Sequence, residues 1–280
     1  MSAHTSFKIG GPADLFASVK SAEETAELIR LARSLGVAYM VMGNGSNMLV
    51  GDGGIRGLVI QIGKNIADVA VDGNMITAGA GAMMSKVAAV AARASLSGFE
   101  PLSGIPGTLG GAVYMNAGAY GGEMKNVVKT VTYIDNNGDL HTVGNAECGF
   151  GYRRSVFSDG GKYIVSAVLE LQVGDEKTIR AEMDEYSRRR SEKQPLSQPS
   201  AGSTFKRPEG YFAGKLIQDA GLMGYRIGGA AVSEKHAGFV VNTGGATAED
   251  VLSLIEYIID TVEKKFGVRL EPEVRLVGER

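Results

Sequence analysis

Two periods divide the apolar and polar positions of the 280-residue chain. Helical spacing appears first at 21–35, where Ser21 and Glu24 make a capping box, Leu28, Ile29, Ala32 and Leu35 share a face, and Gly36 stops the run. Apolar runs at 13–19 and 38–42 read as strands on either side, which predicts a βαβ unit with a right-handed crossover. A further strand is predicted at 57–62, a hairpin with arms 67–71 and 75–78 around Asp72-Gly73, and an Ala-rich helix over 85–95. Neither period explains the glycine-dense tract 103–122. Strands at 127–135 and 139–143 flank an Asn-Asn-Gly turn, and 163–173 alternates as another strand. A charged helix over 176–190 ends before Pro195 and Pro199, which mark a linker. The remainder predicts a short helix at 213–220, strands at 225–233 and 238–242, a helix at 247–266 buried along Val251, Leu254, Ile255, Ile258 and Val262, and a final strand. The class is α+β.

Composition narrows the chemistry. Hydrophobic residues make up 44% of the chain, too many for a disordered one. A net charge of −2 leaves no basic footprint for nucleic acid. Lone Cys148 excludes a disulfide framework, and with His4, His141 and His236 it supplies no zinc spacing, so no metal is expected. No leader pattern or long apolar run occurs, so a cytoplasmic protein with no membrane partner is expected; no oligomer is implied. Forty Gly against seven Pro, without a repeat, point to close backbone contact rather than low complexity.

Five segments carry candidate chemistry. Gly43-Asn44-Gly45-Ser46-Asn47 follows a predicted strand and presents backbone N–H groups as a diphosphate requires. Met48 breaks the dinucleotide fingerprint and no Walker sequence exists, so a plain tight turn stays open. The tract Ser103-Gly104-Ile105-Pro106-Gly107-Thr108-Leu109-Gly110-Gly111, continuing through Asn116 and Ala119 to Gly122, bears an ordering cost that a bound flat cofactor would offset, with Thr108 and Asn116 at its edge; a glycine-packed helix contact is the alternative. Tyr152-Arg153-Arg154-Ser155 offers a cation for a substrate carboxylate or enolate, or a surface arginine pair. Gly202-Ser203-Thr204-Phe205-Lys206 lacks a nucleophile elbow, so its Ser is read as a proton donor to a carbanion or as a turn residue. In Leu270-Glu271-Pro272-Glu273 the two carboxylates would share one side of a strand, as a solvated edge also would. His236 receives no catalytic role.

Taken in order, GNGSN at 43–47, SGIPGTLGGA at 103–112, NAGAYGGE at 116–123, FGYRRS at 150–155, AGSTFKRP at 201–208 and LEPEVRLVG at 270–278 resemble the UDP-N-acetylenolpyruvoylglucosamine reductase family of peptidoglycan precursor synthesis. The likeness runs from Thr5 to Gly278. It implies a two-lobed FAD-binding domain of the vanillyl-alcohol-oxidase kind, with lobes at 1–65 and 66–175, and an α+β substrate-binding domain at 176–280. The two glycine segments become the FAD loops. NADPH is implied as reductant and UDP-N-acetylglucosamine enolpyruvate as the small-molecule substrate. Ser203 takes the place of the proton donor, and Arg153 and Glu273 those of the groups that polarise the substrate carboxylate, the Glu in its protonated form. The chain resembles the shorter subtype without a βαββ insertion, so Tyr152, Arg190, Lys193, Lys206, Arg207 and Lys215 are candidates for gripping the substrate. His4 and Arg207 stand where the family commonly has Asn. Two rival readings are an FAD-dependent oxidase of a hydroxy acid or sugar alcohol, and a non-catalytic nucleotide-binding module.

Overall fold

The alternation at 127–143 becomes the edge strand and its neighbour in a five-stranded sheet, in a computed structural model that describes residues 1–280. Its strands lie in the order Leu140–Gly144, Val128–Asp135, Lys162–Glu170, Met75–Gly79 and Val69–Asp72, each antiparallel to its neighbour. The Asp135 carboxylate accepts from the N–H groups of Asn137 and Asp139 and fixes the predicted Asn-Asn-Gly turn. Val131, Ile134, Ala167, Leu169, Ile76 and Ala78 form its buried face, and helix Met84–Arg93 joins the same core through Met84, Val87, Ala88 and Ala91.

A second sheet holds the order Ala13–Ser18, Ile55–Gln61, Tyr39–Met42. The βαβ strands share a sheet as predicted, but a later strand sits between them and pairs parallel with Tyr39–Met42. Periodicity marks a strand and is blind to its place in the order. Helix Ala22–Ser34 opens on the predicted cap, with Ser21 Oγ accepting from the Glu24 N–H at 3.2 Å. It buries Thr25, Ala26, Ile29 and Ala32. Leu35 is exposed because it lies beyond the last helical residue, past the buried stripe.

The chain packs as two units. Residues 15–44 and 57–190 make the larger one, and residues 1–14, 45–56 and 191–280 the smaller. In the smaller unit, helix Ala248–Phe266 buries the whole predicted stripe. Thr247 and Asp250 form its capping box, and the Asp52 carboxylate accepts from the N–H groups of Ala248 and Glu249 at 2.8 and 3.1 Å, placing an anion at the positive end of the helix. Helix Ala213–Asp219 contributes to the same core, beside the antiparallel strands Arg226–Ile227, Ala230–Val232 and Val240–Asn242. Strand Met48–Val50 pairs parallel with Arg275–Val277.

Four expectations need correction. The strand predicted at 225–233 is a hairpin, because Gly228 takes a φ of 52° and the Gly229 N–H turns to the Asp250 carboxylate. The run 163–173 breaks after Glu170, and Gln172–Val173 pairs with Leu96–Ser97 instead. The glycine tract contains helix Leu109–Tyr114, whose small residues allow close packing at the cost of a readable stripe. Glu271 and Glu273 precede the last strand, on an extended segment joined to Phe205 through a single antiparallel bridge at Pro272. No helix is long and apolar enough to cross a membrane, and no group of His, Cys, Asp and Glu is arranged to hold a metal.

Candidate functional site

In the larger unit the glycine segments meet through backbone approaches that a side chain would block. A Cβ on Gly43 would lie 2.6 Å from Thr108 Oγ1, and one on Gly110 would lie 2.8 Å from the Ala80 Cβ. The first N–H groups of helix Leu109–Tyr114 are taken by the carbonyls of Ala82 and Ala80, while the Gly107 carbonyl accepts from Met84. By contrast, the N–H groups of Gly43 and Asn44 find no acceptor within the fold. Unclaimed donors at the end of a strand are what a dinucleotide diphosphate requires, so this segment fits FAD. Ser103 is buried and donates to the Glu100 carbonyl at 2.7 Å; the Ile105 N–H donates to Leu102, and Pro106 and Gly111 are exposed. Gly104 lies against the Arg190 side chain, whose guanidinium sits 5.8 Å from the centre of the Tyr120 ring.

Asn116, read from the sequence as a residue at the cofactor's edge, is fully buried with a φ of 45°. Its Nδ2 donates to Glu123 Oε2 at 2.8 Å and to the Gly151 carbonyl at 2.9 Å, and its Oδ1 accepts from the Lys125 N–H at 2.9 Å. It thus ties two loops together. One is the hairpin Gly118–Ala119 with Gly122–Glu123, which turns at Tyr120 and Gly121, both at positive φ. Tyr120 stacks on Tyr186 at 4.7 Å, which holds a tyrosine in a conformation that disfavours it. The other loop is the turn Gly151–Arg154, closed by two backbone hydrogen bonds, with Tyr152 and Arg153 at its tip. Arg153 has a φ of 56°, and its Nη2 donates to the Gly118 carbonyl at 3.3 Å. Tyr152 is exposed, with the Arg153 guanidinium 5.0 Å from its ring centre.

In the smaller unit Ser203 and Glu273 come together through the main chain. Lys206 N–H donates to the Glu271 carbonyl and Glu273 N–H to the Thr204 carbonyl, both at 2.8 Å, on either side of the Phe205–Pro272 bridge. Thr204 is buried, its N–H on the Gly238 carbonyl and its Oγ1 accepting from Val240 at 2.9 Å. Asn47 Nδ2 donates to the Glu273 carbonyl at 3.1 Å, so the end of the first glycine segment fixes this extended segment; Gly45 is buried and Ser46 half-buried. Ser203 is exposed and its hydroxyl makes no hydrogen bond within the protein. The basic candidates are locally engaged: Lys206 with Glu271, Lys215 with Asp219, and Arg207 over the Phe212 ring at 4.0 Å, while Lys193 is exposed. His236 Nδ1 accepts from Gly238 at 3.1 Å, and burial, with the nearby Lys193 charge, pulls this imidazole below its ordinary value.

The sequence reading missed Thr204, Glu123 and Lys125. NAGAYGGE already contained Glu123, but only the fold shows that Asn116 and Lys125 converge on it.

Comparison with known proteins adds independent support. Residues 13–144 match the family model of an FAD binding domain, and residues 194–277 that of the UDP-N-acetylenolpyruvoylglucosamine reductase C-terminal domain. The UDP-N-acetylenolpyruvoylglucosamine reductase of Caldanaerobacter subterraneus subsp. tengcongensis is 52% identical across all of this chain and 92% of its own length. That of Agathobacter rectalis is 53% identical with the same coverage. The crystal structure of the Thermus caldophilus UDP-N-acetylenolpyruvylglucosamine reductase superposes with a TM-score of 0.85 at 37% identity, over 98% of this chain and 96% of that one. With such identity across its full length, the chain belongs to the UDP-N-acetylenolpyruvoylglucosamine reductase family.

Proposed function

We propose that the chain is an NADPH-dependent reductase that converts UDP-N-acetylglucosamine enolpyruvate to UDP-N-acetylmuramate in peptidoglycan precursor synthesis, in the cytoplasm. As a member of its family it is an FAD-dependent oxidoreductase. The observation that carries the reading is the unpartnered Ser203 hydroxyl, exposed on a segment whose neighbour Thr204 is bonded to Glu273.

FAD, when bound, supplies the hydride, received from NADPH, to the terminal carbon of the enolpyruvyl ether. Gly43 and Asn44 offer their free N–H groups to its diphosphate, with the 103–119 tract beside them. Everything else falls to side chains. Addition at the terminal carbon leaves an electron pair on the neighbouring carbon, conjugated with the carboxylate. Arg153 stabilises that charge, and Glu273 in its protonated form adds a hydrogen bond to the same carboxylate. Ser203 delivers a proton to the carbon; a hydroxyl is acid enough because the carbanion is so strong a base. In this reading the FAD lobes are 1–65 and 66–175, the substrate domain is 176–280, and Tyr152, Arg190, Lys193, Lys206, Arg207 and Lys215 are the groups from which the substrate grip is drawn.

A direct experiment follows the flavin by absorbance without oxygen. The purified protein should be yellow, bleach with NADPH and recover its colour when UDP-N-acetylglucosamine enolpyruvate is added. A protein that takes up no FAD, or a bleached one that air recolours while the enolpyruvyl ether does not, would refute the reading.

A further inference from the structure

Glu123 takes no part in the chemistry above, yet the polar groups around Arg153 converge on it. Its Oε2 accepts from Asn116 Nδ2 at 2.8 Å and from Lys125 Nζ at 3.0 Å, and its own N–H donates to Asn126 Oδ1 at 2.9 Å. It faces Gly118 across the hairpin, and the Gly118 carbonyl is the acceptor of Arg153 Nη2. Asn116, holding Glu123 with one N–H, spends the other on Gly151, where the Arg153 turn begins. Burial pushes the Glu123 carboxyl up, but the hydrogen bonds from Lys125 and Asn116 and the charges of Lys125 and Arg153 outweigh it, leaving the group below the ordinary carboxylate range. It is therefore an anion at neutral pH.

An arginine beside a carboxylate of its own faces a conflict. The anion fixes where the guanidinium points, but a full partner also cancels the charge that a substrate carboxylate would seek. Here Glu123 pairs directly with Lys125 and meets Arg153 through the field of its charge, so a net positive charge remains in the cluster. We propose that Glu123 is a positioning residue that aims Arg153 at the substrate carboxylate, and that Lys125, by sharing Glu123, keeps Arg153 electrostatically available. The inference rests on the role given to Arg153 above.

The test uses the FAD-loaded protein and two ligands, UDP-N-acetylmuramate, which has the carboxylate, and UDP-N-acetylglucosamine, which lacks it. Affinities are read by titration calorimetry. Lys125 is half-exposed, so Lys125→Met should fold normally. It should weaken the carboxylate-bearing ligand about tenfold, leave the other within about twofold, and be rescued by Lys125→Arg. Glu123→Gln should slow flavin reoxidation by the enolpyruvyl ether about 10- to 100-fold while reduction by NADPH stays within about twofold. A Lys125→Met protein that weakens both ligands equally, or neither, overturns the proposal. Arg153→Ala separates the two layers of the inference. If it abolishes the preference for the carboxylate while Lys125→Met leaves that preference intact, only the present proposal falls. If it leaves the preference intact, the reading of Arg153 falls and the proposal with it.

Discussion

Around Arg153 the side chains are committed to one another, whereas around Ser203 the backbone is committed and the side chain stands alone. Asn116 spends both its donors inside the fold, and Arg153 occupies a strained positive-φ turn fastened to the Gly118 carbonyl. Ser203 instead precedes a residue whose N–H, carbonyl and hydroxyl are all bonded, while its own hydroxyl is free to rotate. The two jobs explain the contrast. A charge that must stabilise developing charge works best when prearranged, because no reorganisation is needed at the moment of reaction. A proton donor needs an exact position for its backbone and an unengaged O–H.

The largest effect should come from removing that hydroxyl. Ser203→Ala should slow flavin reoxidation by the enolpyruvyl ether by about 10³-fold or more, leave reduction by NADPH nearly intact, and change unfolding free energy by less than about 0.5 kcal/mol. Rapid-mixing spectroscopy and denaturant titration read the two sides, and equal loss in both half-reactions would erase the distinction. At the other site the order is reversed. Asn116→Ala strips partners from the Lys125 N–H, the Gly151 carbonyl and Glu123, so it should cost about 2–4 kcal/mol of stability in the same titration. Thr204→Val sits between these extremes. It removes only the acceptor of the Val240 N–H and should cost about 1–2 kcal/mol, with reoxidation slowed as Ser203 loses its fixed neighbour.

The smallest effect is a pH slope. His236 is held below its ordinary 6.5, so the unfolded chain binds a proton that the folded one refuses. Its contribution is full above the unfolded value and declines as pH falls from there toward the folded value. His236→Asn should flatten the stability profile in that window, and an unchanged slope would show that the imidazole contributes nothing there.

Much of this was written in patterns that a sequence displays. The helix at 247–266 declared itself through its capping box and its stripe, and the turn at 136–138 through its residue types. Six ordered motifs carried the family. Less visible was anything that depends on distant partners. Small residues hid helix Leu109–Tyr114 because Gly and Ala mark no face. Asn47 reads as a cofactor loop residue, yet its amide also fixes Glu273, 226 positions away. Asn116 looked like an edge donor because its type allows that, and only the fold reveals where its two N–H groups go.

The parallel pairing of Met48–Val50 with Arg275–Val277 and the Asp52 clamp on Ala248 and Glu249 bear on the birth of the molecule. Strand Met48–Val50 emerges early from the ribosome and must wait for more than two hundred further residues before its partner exists. Residues 57–190 are meanwhile complete enough to collapse among themselves. Pairing with Arg275–Val277 therefore closes a loop of more than two hundred residues, a slow step of high contact order during which the early strand has an open edge for a chaperone to shield.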